Sequence, residues 1–198
     1  MEIYIIRHGE TVWNKSRLLQ GIRDIPLCEA GINIAKERAK ELENIDFDVI
    51  YSSPLSRAYE TACIIRGDRN IEIIKDDRLR EVNFGVNEGQ SAIELQKDKA
   101  NPFCKFFDDP AHYVAPENGE DLKQVCKRTK EFMEQVIEPQ KDKLNRVLIA
   151  GHGAMNKGIM CHVLGHGVDE YWTGGLQKNC GVIIVRLDDN GYTQIGEI

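Results

Sequence analysis

The strongest constraint on the fold is a regular alternation between short apolar runs and amphipathic stretches along the chain. Short apolar runs predict buried strands, and apolar side chains spaced three and four residues apart predict helices. Strands that alternate with helices favour a parallel sheet covered by helices on both faces. The sequence therefore predicts an α/β fold, a three-layer α/β/α sandwich around a mostly parallel central sheet.

The predicted elements span most of the chain. The predicted strands are residues 2–6, 49–52, 71–74, 147–150, 182–187 and 192–195. The predicted helices are residues 30–43, 122–137 and 155–164, together with the stretch between Pro54 and Gly67. An Asp-Asn-Gly turn at 189–191 joins the last two strands, which we expect to form a hairpin.

Residues 99–119 interrupt this alternation. They include three prolines and four aromatic side chains with little periodicity. Long irregular insertions in compact domains are usually lids or disordered segments, and the aromatic content argues against disorder. We expect residues 1–198 to form one domain in which residues 99–119 are a cap over the site. Elsewhere, we expect Trp172 only to pack in the core.

The composition excludes several classes of partner. A net charge of −6 lacks the basic surface that binding to nucleic acid or to an anionic membrane requires. No apolar run is long enough to cross a bilayer or to serve as the core of a signal peptide. The six cysteines form no C-x-x-C pair. They predict reduced thiols, no metal site and a cytoplasmic location.

Two histidines stand where two of the predicted strands end. His8 follows the first strand and His152 the fourth, and each is followed by glycine. They can converge, because ligands in such folds bind where the carboxyl ends of parallel strands meet. Arg7 precedes His8, and Arg57 falls in the first turn of a predicted helix, where backbone N–H groups and a guanidinium favour phosphate oxygens. The pattern predicts a positive anion-binding pocket on an acidic chain.

Six segments in chain order carry longer motifs. They are RHGETVWN (7–14), LLQGIRDIPLCEAG (18–31), IYSSPLSRAYETA (50–62), LREVNFGVNEG (79–89), PENGEDL (116–122) and VLIAGHGAMNKGI (147–159). Together they resemble the histidine phosphatase superfamily, also called the phosphoglycerate mutase-like family. The stretch LLQG at 18–21 differs from the F-T-G-W of glycolytic mutases. The resemblance is therefore to the phosphatase branch.

This resemblance implies a metal-independent phosphomonoesterase that uses no cofactor and acts on a small-molecule phosphate ester. It implies that His8 attacks phosphorus and forms a phosphohistidine. Arg7, Arg57 and His152 would stabilise the phosphoryl group. Glu81 matches the acid that protonates the leaving alcohol and then activates water. The positions that match substrate contacts are Arg7, Asn14, Gln20, Gly21, Arg57, His152 and Gly153.

Several alternatives stay open at this stage. A cofactor-dependent phosphoglycerate mutase would use the same phosphohistidine core, and a non-catalytic module that binds phosphorylated ligands would use the same pocket. Glu88 is a rival to Glu81 as the acid. Asn87 replaces an aromatic of the family motif, and Asn156-Lys157 occupies a stretch where an arginine is common. The natural substrate is open, as is the choice between a monomer and a homodimer.

Overall fold

The six strands form a single sheet in the computed structural model, which describes residues 1–198. The strands are β1 (Glu2–Arg7), β2 (Val49–Ser52), β3 (Ile73–Lys75), β4 (Arg146–Gly151), β5 (Val182–Asp188) and β6 (Gly191–Glu197). Their order is β3-β2-β4-β1-β5-β6. The first four strands pair in parallel, while β5 and β6 pair antiparallel at one edge. The predicted mostly parallel sheet and its closing hairpin are confirmed.

Seven α-helices accompany the sheet. They are α1 (Val12–Lys15), α2 (Glu29–Glu41), α3 (Ser56–Arg66), α4 (Ala92–Lys97), α5 (Lys105–Asp108), α6 (Leu122–Phe132) and α7 (Gly153–Leu164). The long helix predicted over 122–137 is α6 followed by a π-helical turn, Met133–Ile137. The strand predicted at 71–74 is shorter and begins at Ile73. No helix combines the length and the apolar character that a membrane crossing requires.

Alternate side chains of the central strands enter two separate cores. On β1, Ile3 and Ile5 face one side of the sheet, while Tyr4 and Ile6 face the other. The first core includes buried side chains of α6 and α7, and the second includes those of α2 and α3. Strands buried on both faces are typical of parallel sheets between helical layers. The three-layer architecture is confirmed on this ground.

Residues 99–119 fold into short helical turns around α5. Phe103 and Phe106 from this segment are buried and stack at 5.0 Å between ring centroids. They pack against Phe84, whose ring lies 5.2 Å from that of Phe106. These rings belong to a third apolar cluster, separate from the two cores that flank the sheet. Aromatic packing explains why a segment without periodicity is ordered.

The chain after β1 passes directly against the first turn of α2. The Cys28 N–H donates to the carbonyl of Glu10 at 2.9 Å. A Cβ atom added at Gly31 would lie 2.0 Å from that same carbonyl oxygen, a distance that permits only glycine. The glycine in α2 therefore sets how closely this helix packs on the loop that carries His8.

Replacing Gly31 with alanine should destabilise the fold. Alanine favours a helix interior over glycine by about 1 kcal/mol. The clash with the Glu10 carbonyl should outweigh that preference and lower the free energy of unfolding by about 1–3 kcal/mol. Urea unfolding measures the difference. The matched control is Gly196→Ala on β6, where the added Cβ has no neighbour closer than 3.8 Å. Equal stability of the two variants would contradict the packing argument.

Candidate active site

The carboxyl ends of β1 and β4 bring His8 and His152 together. Arg7 pairs with Gly151 at the ends of these neighbouring strands. The His8 N–H donates to the Gly151 carbonyl at 3.0 Å, which extends the pairing into the loop. The two imidazole rings are both buried, with their centroids 5.2 Å apart. The predicted convergence at one sheet edge is therefore present.

The hydrogen bonds of His8 define which ring nitrogen carries the proton. Its Nδ1 lies 2.6 Å from the carbonyl oxygen of Gly9, which can only accept, so Nδ1–H is the donor. Its Nε2 therefore holds a lone pair and accepts from Arg57 Nε at 3.3 Å. Burial lowers the pKa of His8 well below its ordinary value, and the charges of Arg57 and Arg7 lower it further. A neutral imidazole whose Nε2 carries no proton can act as a nucleophile.

Arg57 is a fully buried cation that no carboxylate contacts. It lies in the first turn of α3, as predicted. Its two terminal nitrogens donate to the carbonyls of Arg23 and Gly21, each at 2.8 Å. Burial lowers the pKa of Arg57 to about 10, and the guanidinium stays charged at neutral pH. The bonds to carbonyls orient the group without neutralising its charge.

Two further nitrogens at this edge are buried without a hydrogen-bond partner. They are Nε of Arg7 and Nδ1 of His152. The rest of each side chain is anchored, because Arg7 donates to the Gln177 carbonyl at 2.6 Å and His152 Nε2 lies 2.8 Å from Ser53 Oγ. Burial lowers the pKa of His152 well below its ordinary value, and the Arg57 charge lowers it further. A buried polar atom without a partner calls for an explanation, and a ligand bound at this edge would be one.

Glu81 is held by the start of α7. Its carboxylate accepts from the N–H groups of Met155 at 2.8 Å and Ala154 at 3.3 Å, and from its neighbour Val82 at 3.0 Å. The first N–H groups of a helix have no partner within the helix and favour negative charge. The same helix begins directly after His152. The start of α7 thus positions Glu81, while the ends of β1 and β4 position the two histidines.

A cavity of about 230 Å³ collects these groups. Eight of the nine predicted site residues line it: Arg7, His8, Asn14, Gln20, Gly21, Arg57, Glu81 and Gly153. The ninth, His152, is fully buried beside His8 and does not line the cavity. Gln20 is buried with an unpaired Oε1, whereas Asn14 uses its Oδ1 to accept from Thr11.

Comparison with known proteins gives the family. A model of the histidine phosphatase superfamily (branch 1) matches residues 3–195. The chain belongs to the histidine phosphatase superfamily. It is 33% identical over 190 residues to phosphoserine phosphatase 1 of Hydrogenobacter thermophilus, covering 96% of this chain and 88% of that protein. It is 37% identical over 162 residues to a 2,3-bisphosphoglycerate-dependent phosphoglycerate mutase of Parvibaculum lavamentivorans, covering 76% and 74% of the two chains.

A solved structure agrees with this assignment. Bacillus stearothermophilus YhfR matches with a TM-score of 0.89 and 34% identity, over 98% of this chain and 94% of that one. The family and its phosphatase members make this chain a phosphomonoester hydrolase, as the resemblance implied.

The structure also separates the two acids that the sequence left as rivals. Glu88 does not line the cavity of this phosphatase. Its Oε1 accepts from the N–H groups of Ile22 at 2.9 Å and Phe84 at 3.2 Å, and its Oε2 faces Arg23 at 3.8 Å. Glu88 therefore anchors the loop whose carbonyls hold Arg57.

Sequence reasoning did not predict the apolar side chains that line the cavity. The expectation that Trp172 only packs in the core is wrong, because Trp172 lines the cavity and packs on Phe107 at 4.7 Å between centroids. The other lining residues that were not predicted are Arg17, Leu18, Leu19, Phe84, Ala92, Phe106, Phe107, Ala154 and Leu176. Apart from Ala154 at the start of α7, they come from loops and short helices, where periodicity carries no signal. The aromatic residues at 103–107 were the one available hint.

The two departures from the family motifs lie away from the cavity. Asn87 is buried, and its amide pairs with that of Asn101 at 3.3 Å in both directions. Lys157 donates to the Thr173 carbonyl at 2.7 Å. Neither residue lines the cavity. Neither side chain is therefore placed for direct contact with a ligand in the cavity.

The two buried histidines should make the stability of this phosphatase depend on pH. Their folded-state pKa values lie below the ordinary value of 6.5 that they regain on unfolding. Below pH 6.5 the unfolded chain binds protons that the folded chain does not, so stability should fall as the pH drops. Each ring should contribute up to about 1.4 kcal/mol per pH unit between its two pKa values.

Urea unfolding from pH 7 to about pH 5 measures this slope. His8→Asn and His152→Asn should each flatten it. The control is His166→Asn, because His166 is half-buried and its side chain makes no hydrogen bond. A slope that survives loss of both buried rings would contradict the argument.

Proposed function

We propose that this phosphatase hydrolyses a small phosphate monoester through a phosphohistidine formed on His8. The observation that carries the proposal is the state of His8, which is neutral and has its Nε2 lone pair beside a buried guanidinium. A nucleophile of this kind needs no deprotonation before attack. The guanidinium charge is in position to stabilise the phosphoryl oxygens without reorganisation in the transition state.

The proposed reaction has two steps at one phosphorus atom. In the first, the Nε2 lone pair of His8 forms the N–P bond while the ester P–O bond breaks. Glu81, which enters this step protonated, donates its proton to the departing alkoxide, which leaves as the alcohol. In the second, Glu81 takes a proton from water, whose oxygen attacks phosphorus and breaks the N–P bond. Inorganic phosphate leaves and both side chains return to their starting states.

The remaining predicted residues take supporting roles in this proposal. Arg7, Arg57 and His152 bind the phosphoryl oxygens, as two positive charges and one imidazole around the anion. The mechanism requires no metal ion. The further substrate contacts are those predicted from the sequence, Asn14, Gln20, Gly21 and Gly153. We propose in addition that residues 99–119 are the cap of a single domain, since Phe106 and Phe107 from this segment line the cavity.

A mutase is the second candidate, because several relatives are named as phosphoglycerate mutases. Both reactions would pass through the same phosphohistidine. A mutase would interconvert 3- and 2-phosphoglycerate when primed with 2,3-bisphosphoglycerate while releasing little phosphate. We propose hydrolysis as the main reaction, with phosphate release exceeding interconversion under those conditions. A non-catalytic module would do neither.

Replacing His8 with alanine should abolish turnover of p-nitrophenyl phosphate. The loss should exceed about 10³-fold, because the proposed mechanism transfers the phosphoryl group to His8 alone. The wild-type protein, quenched during turnover, should carry phosphate on His8 by mass spectrometry of its peptides. The control, His162→Ala, removes an imidazole that pairs with Glu138 and does not line the cavity. Retained activity in His8→Ala would contradict the assignment of His8 as the nucleophile.

Glu81→Gln should slow the reaction by about 10²–10⁴-fold when the leaving group is a poorly departing alkoxide. The loss should be smaller for p-nitrophenyl phosphate, because p-nitrophenolate leaves without needing a proton. Steady-state kinetics with both esters measure the contrast. Glu88→Gln is the comparison, and its effect should be equal for the two esters. A leaving-group contrast in Glu88→Gln but not in Glu81→Gln would reverse the assignment.

A further inference from the structure

The cavity divides chemically into two halves. If the proposed function holds, the phosphoryl group occupies the half formed by Arg7, His8 and Arg57. The other half is built from apolar side chains: Leu18, Phe84, Phe106, Phe107, Trp172 and Leu176. The alcohol part of the substrate must lie against this second surface, which we call the apolar wall. What the apolar wall can accept therefore limits the substrate class.

The rings of the apolar wall hold one another in place. The indole N–H of Trp172 donates to the Phe106 carbonyl at 2.6 Å. Its ring packs on Phe107 at 4.7 Å and on Phe106 at 5.2 Å between centroids. The indole N–H of Trp172 thus already has a hydrogen-bond acceptor, and the ring surface can contact a substrate. A preformed aromatic surface favours flat apolar groups, since little ordering is needed on binding.

The polar inventory of the cavity disfavours other alcohols. Glu81 is the only acidic side chain that lines it, and the proposed chemistry uses that group. The other charged side chain outside the phosphoryl half is Arg17, which is exposed and takes part in no ion pair. An alcohol with an ammonium group would find no anionic partner and would face this cation. Outside the phosphoryl half, Asn14 and Gln20 are the uncharged polar side chains that line the cavity. Most hydroxyl groups of a polyhydroxylated alcohol would therefore face apolar carbon without a partner, which is unfavourable.

We propose that the substrates are monophosphate esters of apolar alcohols that carry an aromatic ring and no amino group. The cavity volume of about 230 Å³ suits one ring besides the phosphate, since it is smaller than the roughly 300–1,000 Å³ typical of drug-sized ligands. The proposal rests on the proposed function for the placement of phosphate. It separates this chain from a phosphoserine phosphatase, the activity named for one of its relatives.

Kinetics on three esters of primary alcohols test the substrate class. Phenethyl phosphate, O-phospho-L-serine and glucose 6-phosphate all release a primary alkoxide, so their chemical steps are comparable. We expect kcat/KM for phenethyl phosphate to exceed the other two by about 100-fold. Equal or better turnover of phosphoserine or glucose 6-phosphate would overturn the proposal while leaving the phosphatase function intact. Failure to hydrolyse any of the three would count against the proposed function itself.

Variants of the apolar wall test whether this surface determines the substrate preference. Phe107→Ala should raise KM for phenethyl phosphate about tenfold, and its loss of kcat/KM should be larger for phenethyl phosphate than for methyl phosphate, which does not reach the wall. Trp172→Phe, which keeps a ring, should have a smaller effect in the same direction. The matched control is Val114→Ala, because Val114 belongs to the same segment, is exposed and does not line the cavity. Equal losses on both esters in Phe107→Ala would overturn the assignment.

A binding measurement keeps the proposal testable without turnover. The chain has two tryptophans, and Trp13 does not line the cavity. In a Trp13→Phe background, Trp172 is the only source of indole fluorescence. The non-hydrolysable benzylphosphonate should shift that emission at saturation and bind more tightly than inorganic phosphate. Unchanged emission, or no gain in affinity over phosphate, would overturn the proposal even if the enzyme hydrolyses other esters.

Discussion

The buried guanidinium of Arg57 is the group around which the rest of the site is arranged. Burying a charge is costly unless hydrogen bonds compensate for the lost water. Here the compensation comes from the carbonyls of Gly21 and Arg23, which face the cation at 2.8 Å. Those carbonyls can point inward only if the loop that carries them is fixed. Residues around this loop hold it in that position.

Glu88 and the backbone conformation of Gly21 fix the loop that carries these carbonyls. Gly21 has a φ of +54°, and a Cβ atom there would lie 1.9 Å from Glu88 Oε1. The carboxylate reaches over this glycine to accept from the next N–H, that of Ile22. The carbonyl bonds leave the positive charge of Arg57 unneutralised, so it remains available to a phosphoryl group. Burial lowers the pKa of His8 and the Arg57 charge lowers it further, so the ring stays neutral. The Arg57 charge thus helps to keep the nucleophile unprotonated. In the proposed mechanism it also stabilises the negative charge of the transition state.

The sequence predicted those parts of the molecule that periodicity or strand order determine. Alternating apolar runs located all six strands, and the position of His8 and His152 after two of them predicted their meeting, because parallel strands end at one edge. The shift of β3 to Ile73 reflects a short edge strand with only one neighbour. The role of Glu88 was not readable, since a carboxylate near the motif could equally face the cavity. Trp172 packs against the third apolar cluster and also lines the cavity. The second role was not readable, because the residue lies in an irregular segment with no repeating pattern.

The central claim is that His8 Nε2 attacks a phosphoryl group held by the surrounding cations. A crystal structure with orthovanadate, which adopts the five-coordinate geometry of phosphoryl transfer, tests this most directly. The account predicts vanadium bonded to His8 Nε2, with oxygens accepting from Arg7 and Arg57 and an apical oxygen facing Glu81. Vanadate bound only elsewhere, or held in the cavity without a bond to His8, would contradict it.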